Sequence, residues 1–182
     1  HIPFTVFKVT GLASFGLLEK LNRKETLSEG EARAFQQVRS RVNEICAKAS
    51  SCSVPVLIDA EETWIQDPID NLAYEMMERY NKNRAIVFNT FQLYRTDTLE
   101  NLKVAFQEAS KKGYYFGAKL VRGAYMEKER DRAEDMGHVS PIHPTKAASD
   151  NAFNEALEFG MQNLERMSVM CGSHNEYSNH LL

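Results

Sequence analysis

An α/β fold of parallel strands joined by helical crossovers is predicted by three observations. Five short runs rich in apolar, β-branched and aromatic residues recur along the 182-residue chain: FTVF at 4–7, VPVLI at 54–58, AIVF at 85–88, YYFGAKLV at 114–121 and MSVMC at 167–171. Each reads as a buried strand, and their nearly continuous hydrophobicity suits a parallel sheet covered on both faces. Helical patterns fill the intervals, so the order is β, α, β, α, β, α, β, α, β, the signature of right-handed crossovers. The first and last strand starts, at 4 and 167, lie four units apart, so about five β/α units are present, whereas a complete eight-unit barrel needs ~250 residues or more.

The helices have recognisable ends. Ser28 followed by Glu31 forms a capping-box pattern, and the stretch it opens carries Phe35, Val38, Val42 and Ile45 on one face. The next helix is expected to start with Asp67 as cap and Pro68 at its first position. It continues through Ile69, Leu72, Ala73, Met76, Met77 and Tyr80 at three- and four-residue spacing, an apolar stripe for packing on a sheet. Asp97 or Thr98 starts a third helix that stops at Gly113, a fourth runs from about Tyr125 to Gly137, and a fifth from about Thr145 to Leu164. No linker, repeat or low-complexity segment interrupts this pattern, and one domain with a real core is the expectation.

Composition narrows the function classes. A net charge of −3 with no basic tract argues against nucleic acid as a partner. Cys46, Cys52 and Cys171 are odd in number and lack a CxxC pairing, which suits structural thiols in a reducing compartment. No apolar run approaches the roughly 20 residues of a spanning helix, and HIPFTVFKVT has no charged segment followed by an apolar one. A soluble chain without a targeting peptide is expected.

Every strand run ends in residues that a purely structural strand would not choose. The first is followed by Lys8, the second by Asp59 with Glu61 and Glu62, and the third by Asn89 with Gln92. The fourth carries Lys119 and Arg122, and the fifth is followed by Ser173, His174 and Asn175. In a parallel α/β fold the carboxyl ends of the strands converge on the ligand. Taken singly, each has a bland reading: Asp or Asn after a strand is often a turn or helix cap, and Ser173 or Asn175 suits that role. The charges of ERDRAED at 129–135 read as a solvated helix face. A lysine in such a mouth must be paired or bind an anion, and Asp59 is the obvious partner for Lys8. Together they suggest a pocket for a zwitterion or a carboxylate-bearing amine.

Other chemistries lack their motifs. GxGxxG, GxxxxGK[ST], HExxH and GxSxG are absent. His138 and His143 are too weak a pair to indicate metal, so no metal site is expected. Tyr74, Met76 and Met77 read as packing residues.

The segments FKVTGLAS (7–14), VLIDAEETWIQ (56–66), IVFNTFQLY (86–94), GAKLVRGAYMEKER (117–130) and SHNE (173–176) resemble the proline dehydrogenase family, especially its eukaryotic mitochondrial form. The similarity runs in order along essentially the whole chain, and KLVRGAY followed by ER is highly specific. It implies a distorted (β/α)8 barrel of the TIM-barrel family carrying FAD, with residues 1–182 as a partial FAD-binding barrel domain of about five β/α units. The implied reaction removes a hydride from the ring carbon beside the nitrogen of L-proline, yields Δ1-pyrroline-5-carboxylate, and passes electrons from reduced flavin to a quinone. A mitochondrial location on the matrix side of the inner membrane follows from the same resemblance, and peripheral association with that membrane is compatible with it.

The resemblance also implies roles. Lys8 resembles the first-strand lysine that pairs with the substrate carboxylate, and Asp59 the acid at the substrate end of the pocket. Asn89 sits where a flavin-ring contact is expected, with Val87 and Ala60 packing nearby. Lys119 faces the reactive edge of the isoalloxazine, and with Lys8 and Asp59 forms the implied catalytic set. Arg122, Gly123, Ala124 and Tyr125 resemble the turn that follows the ribityl and phosphate chain, and Ser173, His174 and Asn175 the fifth-strand FAD contacts.

The sequence departs from the family pattern after SHNE, where members carry three further strands and a final helix whose paired arginine and glutamate clamp the substrate carboxylate. The region between Leu21 and Ser28 is also shorter than the helical elaboration usual in eukaryotic members. A truncated form is therefore expected, binding FAD weakly and turning over proline poorly by itself. Two alternatives remain: hydroxyproline oxidation by the same machinery, or a non-catalytic barrel fragment that assembles with a complementary segment across an open sheet edge.

Overall fold

A computed structural model describes residues 2–181. Five strands form one sheet in sequence order, β1-β2-β3-β4-β5. The chain divides into two compact units, His1–Asn89 and Thr90–Leu182, with the boundary inside the third strand.

The first unit holds β1 (Thr5–Phe7), a 3-10 turn (Val9–Gly11), α1 (Phe15–Asn22), α2 (Glu29–Ser51), β2 (Val56–Ile58), α3 (Thr63–Tyr80) and the start of β3 (Val87–Gln92). Its strands are parallel, with Phe7 opposite Ile58 and Ile58 opposite Asn89. β2 is fully buried, but β1 is not: Val6 keeps 45% of its surface. The expected burial of the first run fails because β1 stands at one end of the strand order, with β2 as its sheet neighbour. The capping box forms as expected, Ser28 Oγ accepting from Glu31 N while the Glu31 carboxylate accepts from Ser28 N.

In α3 the stripe Ile65, Ile69, Leu72, Ala73, Met76 and Met77 is essentially inaccessible to solvent. Burial of each large member contributes about 1.5–3 kcal/mol. This helix starts at Thr63 rather than Pro68, so Asp67 is not its cap. Burying Ile65 and Gln66 draws an extra turn into the helix despite the N–H that Pro68 lacks. Beside the proline, the Asp67 N–H donates to Asn22 Oδ1 at 3.0 Å. Arg39 pairs with Glu75 at 2.8 Å, and Arg79 and Tyr80 both reach Asn43 Oδ1 at 2.6 Å, fastening α2 to α3.

The second unit continues with α4 (Thr98–Lys112), β4 (Phe116–Val121), α5 (Met126–Met136), α6 (Lys146–Gln162), β5 (Met167–Gly172) and α7 (Glu176–His180). β4 and β5 are parallel over six residues, with Lys119 opposite Met170. Gly113 and Gly137 end α4 and α5 in the left-handed conformation, as the sequence indicates. Phe106 of α4 meets Phe116 of β4 and Phe159 of α6 edge-on, at 6.1 and 5.5 Å. A Cβ at Gly160 would lie 2.5 Å from Val169 Cγ2, so this glycine is what lets α6 close onto β5. In the 129–135 stretch Glu129 is buried, at 1% exposure, against the expectation of a wholly solvated face. Among the described residues no helix is long and apolar enough to cross a membrane.

Candidate active site

The functional residues expected from sequence fall into two groups, one in each unit. In the first unit, the parallel pairing sets the carboxyl ends of β1 and β2 side by side, with Asn89 of β3 opposite Ile58. Asp59 N donates to Phe7 O at 3.0 Å, so Lys8 and Asp59 follow paired strand ends as neighbours. Lys8 is exposed and Asp59 half-buried. At that exposure the Lys8 charge carries little desolvation cost.

Asn89 is different. It lies inside β3, not after it, and has no exposed surface. Its Nδ2 donates to Asp70 Oδ1 at 2.8 Å, while its Oδ1 is buried without a hydrogen-bond partner. Nearly all buried polar atoms are bonded, so such an acceptor marks a place for a ligand's donor. A flavin ring, which carries an N–H, fits that requirement. Val87, two residues before Asn89, and Ala60, two residues after the register partner Ile58, are buried, at 0% and 8% exposure. Asn81 fixes where β3 begins: its Oδ1 accepts from Ile86 N and Val87 N, and its Nδ2 donates to Val87 O, all at 2.9 Å.

Four polar residues of this group escape the sequence reading. Thr10 bonds the Glu61 carboxylate through its N at 3.1 Å and its Oγ1 at 2.6 Å. Glu61 N in turn donates to Gln66 Oε1 at 2.8 Å, and Gln66 Nε2 donates to Asp70 Oδ1 at 2.7 Å. Asn81 is the fourth. The available signal was the i, i+4 spacing of Gln66 and Asp70, which places them on one face of α3.

In the second unit, Lys119 is half-buried on β4 and Arg122 follows the strand. The Arg122 guanidinium donates from Nε to Asp150 Oδ1 at 2.6 Å, from Nη1 to Ser173 Oγ at 2.7 Å and from Nη2 to Ser178 Oγ at 3.0 Å. It also lies 4.4 Å over the Phe153 ring. Gly123 takes φ 147°, and a Cβ there would overlap the Tyr94 ring at 2.3 Å. Burial, helped by the charge of Glu129, pushes the Tyr94 phenol well above its ordinary value. Ala124 N donates to Gln92 Oε1 at 3.2 Å, which fixes the turn.

This turn opens α5. A cavity of about 440 Å³ is lined by Gly123, Ala124, Tyr125, Met126, Glu127 and Lys128. Backbone N–H groups at a helix start favour an anion, and Lys128 adds to that field while Glu127 opposes it. A second cavity of about 550 Å³, lined in part by Asp150, Glu155, Glu158 and Asn175, has the wrong sign for a phosphate. In the SHNE segment, Asn175 caps α7 by accepting from Ser178 N at 3.0 Å, and Ser173 Oγ accepts from Asn175 N at 3.0 Å. Both carry out the local structural role that the sequence left open for them. His174 is exposed.

Comparison with known proteins agrees with these motifs. The family model described as Proline dehydrogenase matches residues 7–182. Proline dehydrogenase 1, mitochondrial, of Drosophila melanogaster is 37% identical over 156 residues, 80% of this chain and 23% of that protein. The Caenorhabditis elegans protein of the same name is 38% identical over 176 residues, 94% of this chain and 28% of its own length. The chain thus spans about a quarter of the curated relatives it matches. Among solved structures, proline utilization A from Bdellovibrio bacteriovorus superimposes with a TM-score of 0.83 over 97% of this chain and 17% of that one, at 22% identity. At that identity the likeness shows the fold, a parallel α/β arrangement.

Proposed function

The chain belongs to the proline dehydrogenase family, and from that premise we propose that residues 1–182 form a partial barrel domain of an FAD-dependent enzyme oxidising L-proline to Δ1-pyrroline-5-carboxylate. FAD, held by Asn89, Lys119 and the turn after β4, would supply the hydride acceptor for the ring carbon beside the proline nitrogen and the route for its electrons to a quinone. Lys8 and Asp59 hold the zwitterionic substrate by its opposite charges and so fix which carbon is presented. Asn89 offers its buried oxygen to the flavin ring, between the packing surfaces of Val87 and Ala60. Lys119 supplies a positive charge where the ring gains a negative one. The turn Arg122–Gly123–Ala124–Tyr125, with the start of α5, receives the phosphate chain, and Ser173, His174 and Asn175 complete that side. By the names of its relatives the enzyme is mitochondrial, and the matrix face of the inner membrane, where quinone is reached, is its proposed station.

The observation that carries this reading is the family match across nearly the whole chain, and the orphaned acceptor of Asn89 supports the flavin part of it. The test is the visible absorbance of the purified intact protein. A flavin band that bleaches when L-proline is added without oxygen is the expected result. A colourless protein that takes up no added FAD, or a bound flavin unaffected by proline, refutes it.

A further inference from the structure

We propose that Asp70 is a positioning residue that locks the Asn89 carboxamide with its oxygen toward the flavin ring, so that this position accepts a hydrogen bond from the cofactor and cannot donate one. The inference rests on the flavin reading above. Its basis is a relay whose polarity is set at one end. Glu61 N–H can only donate, and it meets Gln66 Oε1 at 2.8 Å. The other end of that carboxamide must then be its NH2, which donates to Asp70 Oδ1 at 2.7 Å. An ionised carboxylate only accepts, so the group that Asn89 turns toward Asp70, at 2.8 Å, must be its own NH2.

The oxygen of Asn89 is left pointing the other way, buried and without a partner. Flipping either amide would set N–H against N–H at Glu61, or oxygen against oxygen at Asp70. Water cannot readily compensate, because Glu61, Gln66 and Asn89 are exposed by only 3%, 3% and 0%. The relay is anchored as well as oriented, since Thr10 holds the Glu61 carboxylate with two hydrogen bonds. The Asp70 carboxylate on α3 therefore sets what β3 offers a ligand, while Gln66, oriented by Glu61 N, helps hold that carboxylate in place.

The experiment is a double-mutant cycle on the intact protein stripped of flavin and titrated with FAD, read by quenching of flavin fluorescence. Asp70→Leu removes the acceptor, and Asn89→Leu removes the oxygen it orients. Each raises the Kd about tenfold, the worth of one hydrogen bond to a buried group. The double variant binds no worse than Asn89→Leu alone, because Asp70 acts through Asn89. Asp70→Asn, whose side-chain oxygen can accept both N–H bonds, recovers most of the affinity lost in Asp70→Leu.

A purely structural role would instead lower the melting temperature of the flavin-free protein while the Kd effects of the two substitutions multiply. That outcome, or an unchanged Kd in Asp70→Leu, overturns the inference. Should Asp70→Leu fail to fold, Asp70→Ala, which removes the acceptor without adding bulk, takes its place in the cycle. A parent protein that binds no FAD overturns the flavin reading itself, and the Asp70 inference with it. A parent that binds FAD with multiplicative variants overturns the inference alone.

Discussion

Replacing Gly123 by alanine tests how tightly the turn after β4 is built. The added Cβ would lie 2.3, 2.4 and 2.6 Å from Tyr94 Cδ1, Cε1 and Cγ, where carbon atoms ordinarily rest at about 3.5–4.0 Å. The ring cannot easily swing aside, since Tyr94 is 3% exposed. Its backbone is also held: Tyr94 N donates to Arg122 O, and Tyr94 O accepts from His143 N, both at 2.7 Å. A φ of 147° is likewise foreign to residues with a side chain. Backbone strain of about 1–3 kcal/mol and overpacking of about 1–3 kcal/mol together give roughly 2–6 kcal/mol. A protein of ordinary stability has only about 5–15 kcal/mol to lose, and each kcal/mol lowers the melting temperature of a chain this size by about 2–4 °C. The expected result in thermal unfolding followed by circular dichroism is a fall of roughly 5–20 °C. In a Tyr94→Ala background the overlap disappears and the backbone strain remains, so the Gly123→Ala penalty shrinks by about 1–3 kcal/mol. A penalty below about 0.5 kcal/mol in the parent, or one undiminished in the Tyr94→Ala background, would refute the packing argument.

Two further outcomes test the first unit. The Lys20 hydrogen bond, with help from Ser28, holds the Glu31 carboxyl down to about 2 from an ordinary 4.5. A lowered pKa contributes stability above the unfolded value and loses it as pH falls through the folded one. The stability difference between the parent and Glu31→Gln should therefore be present at neutral pH, shrink below about 4.5 and vanish near 2. A difference constant across that window in acid titrations of the unfolding midpoint would contradict the assignment. Burial pushes the Cys46 thiol up to about 12 while Cys52 stands exposed. A thiol reagent at mildly alkaline pH should label Cys52 in the folded protein and reach Cys46 only on unfolding. Prompt labelling of Cys46, read by mass spectrometry, would show that α2 is not packed as described.

The parts of this fold that were legible in the sequence are those governed by local chemistry. Ser28 with Glu31, Asp97 before Thr98, Tyr125 with Gly137, and Thr145 mark the helix ends where they are found, because capping needs only residues a turn apart. Pro68 misled for the opposite reason: proline usually opens a helix, and only the burial of Ile65 and Gln66, a tertiary fact, adds the turn before it. The segment Phe15–Asn22 escaped notice as a helix, and it too is held by packing against α3. At the site, Lys8, Asp59, Asn89, Lys119 and Arg122 stood out as polar residues at strand ends. What they are tied to did not, because Asp70 lies 19 residues before Asn89, and Ser178 lies 56 after Arg122.

Arg122 carries a consequence for how this chain can be studied. At least three of its N–H donors are engaged by Asp150, Ser173 and Ser178, which lie on α6, in the segment after β5 and on α7. A free arginine side chain would lose much of its rotamer freedom on meeting an anion. This one loses it when the protein folds, so its charge is presented by a rigid fixture. The same rigidity means that substituting Arg122 disturbs the seating of α7 and the charge at the turn together. Any affinity measured on such a variant mixes two quantities, and charge at this turn is better altered through Lys128, an exposed residue on the first turn of α5.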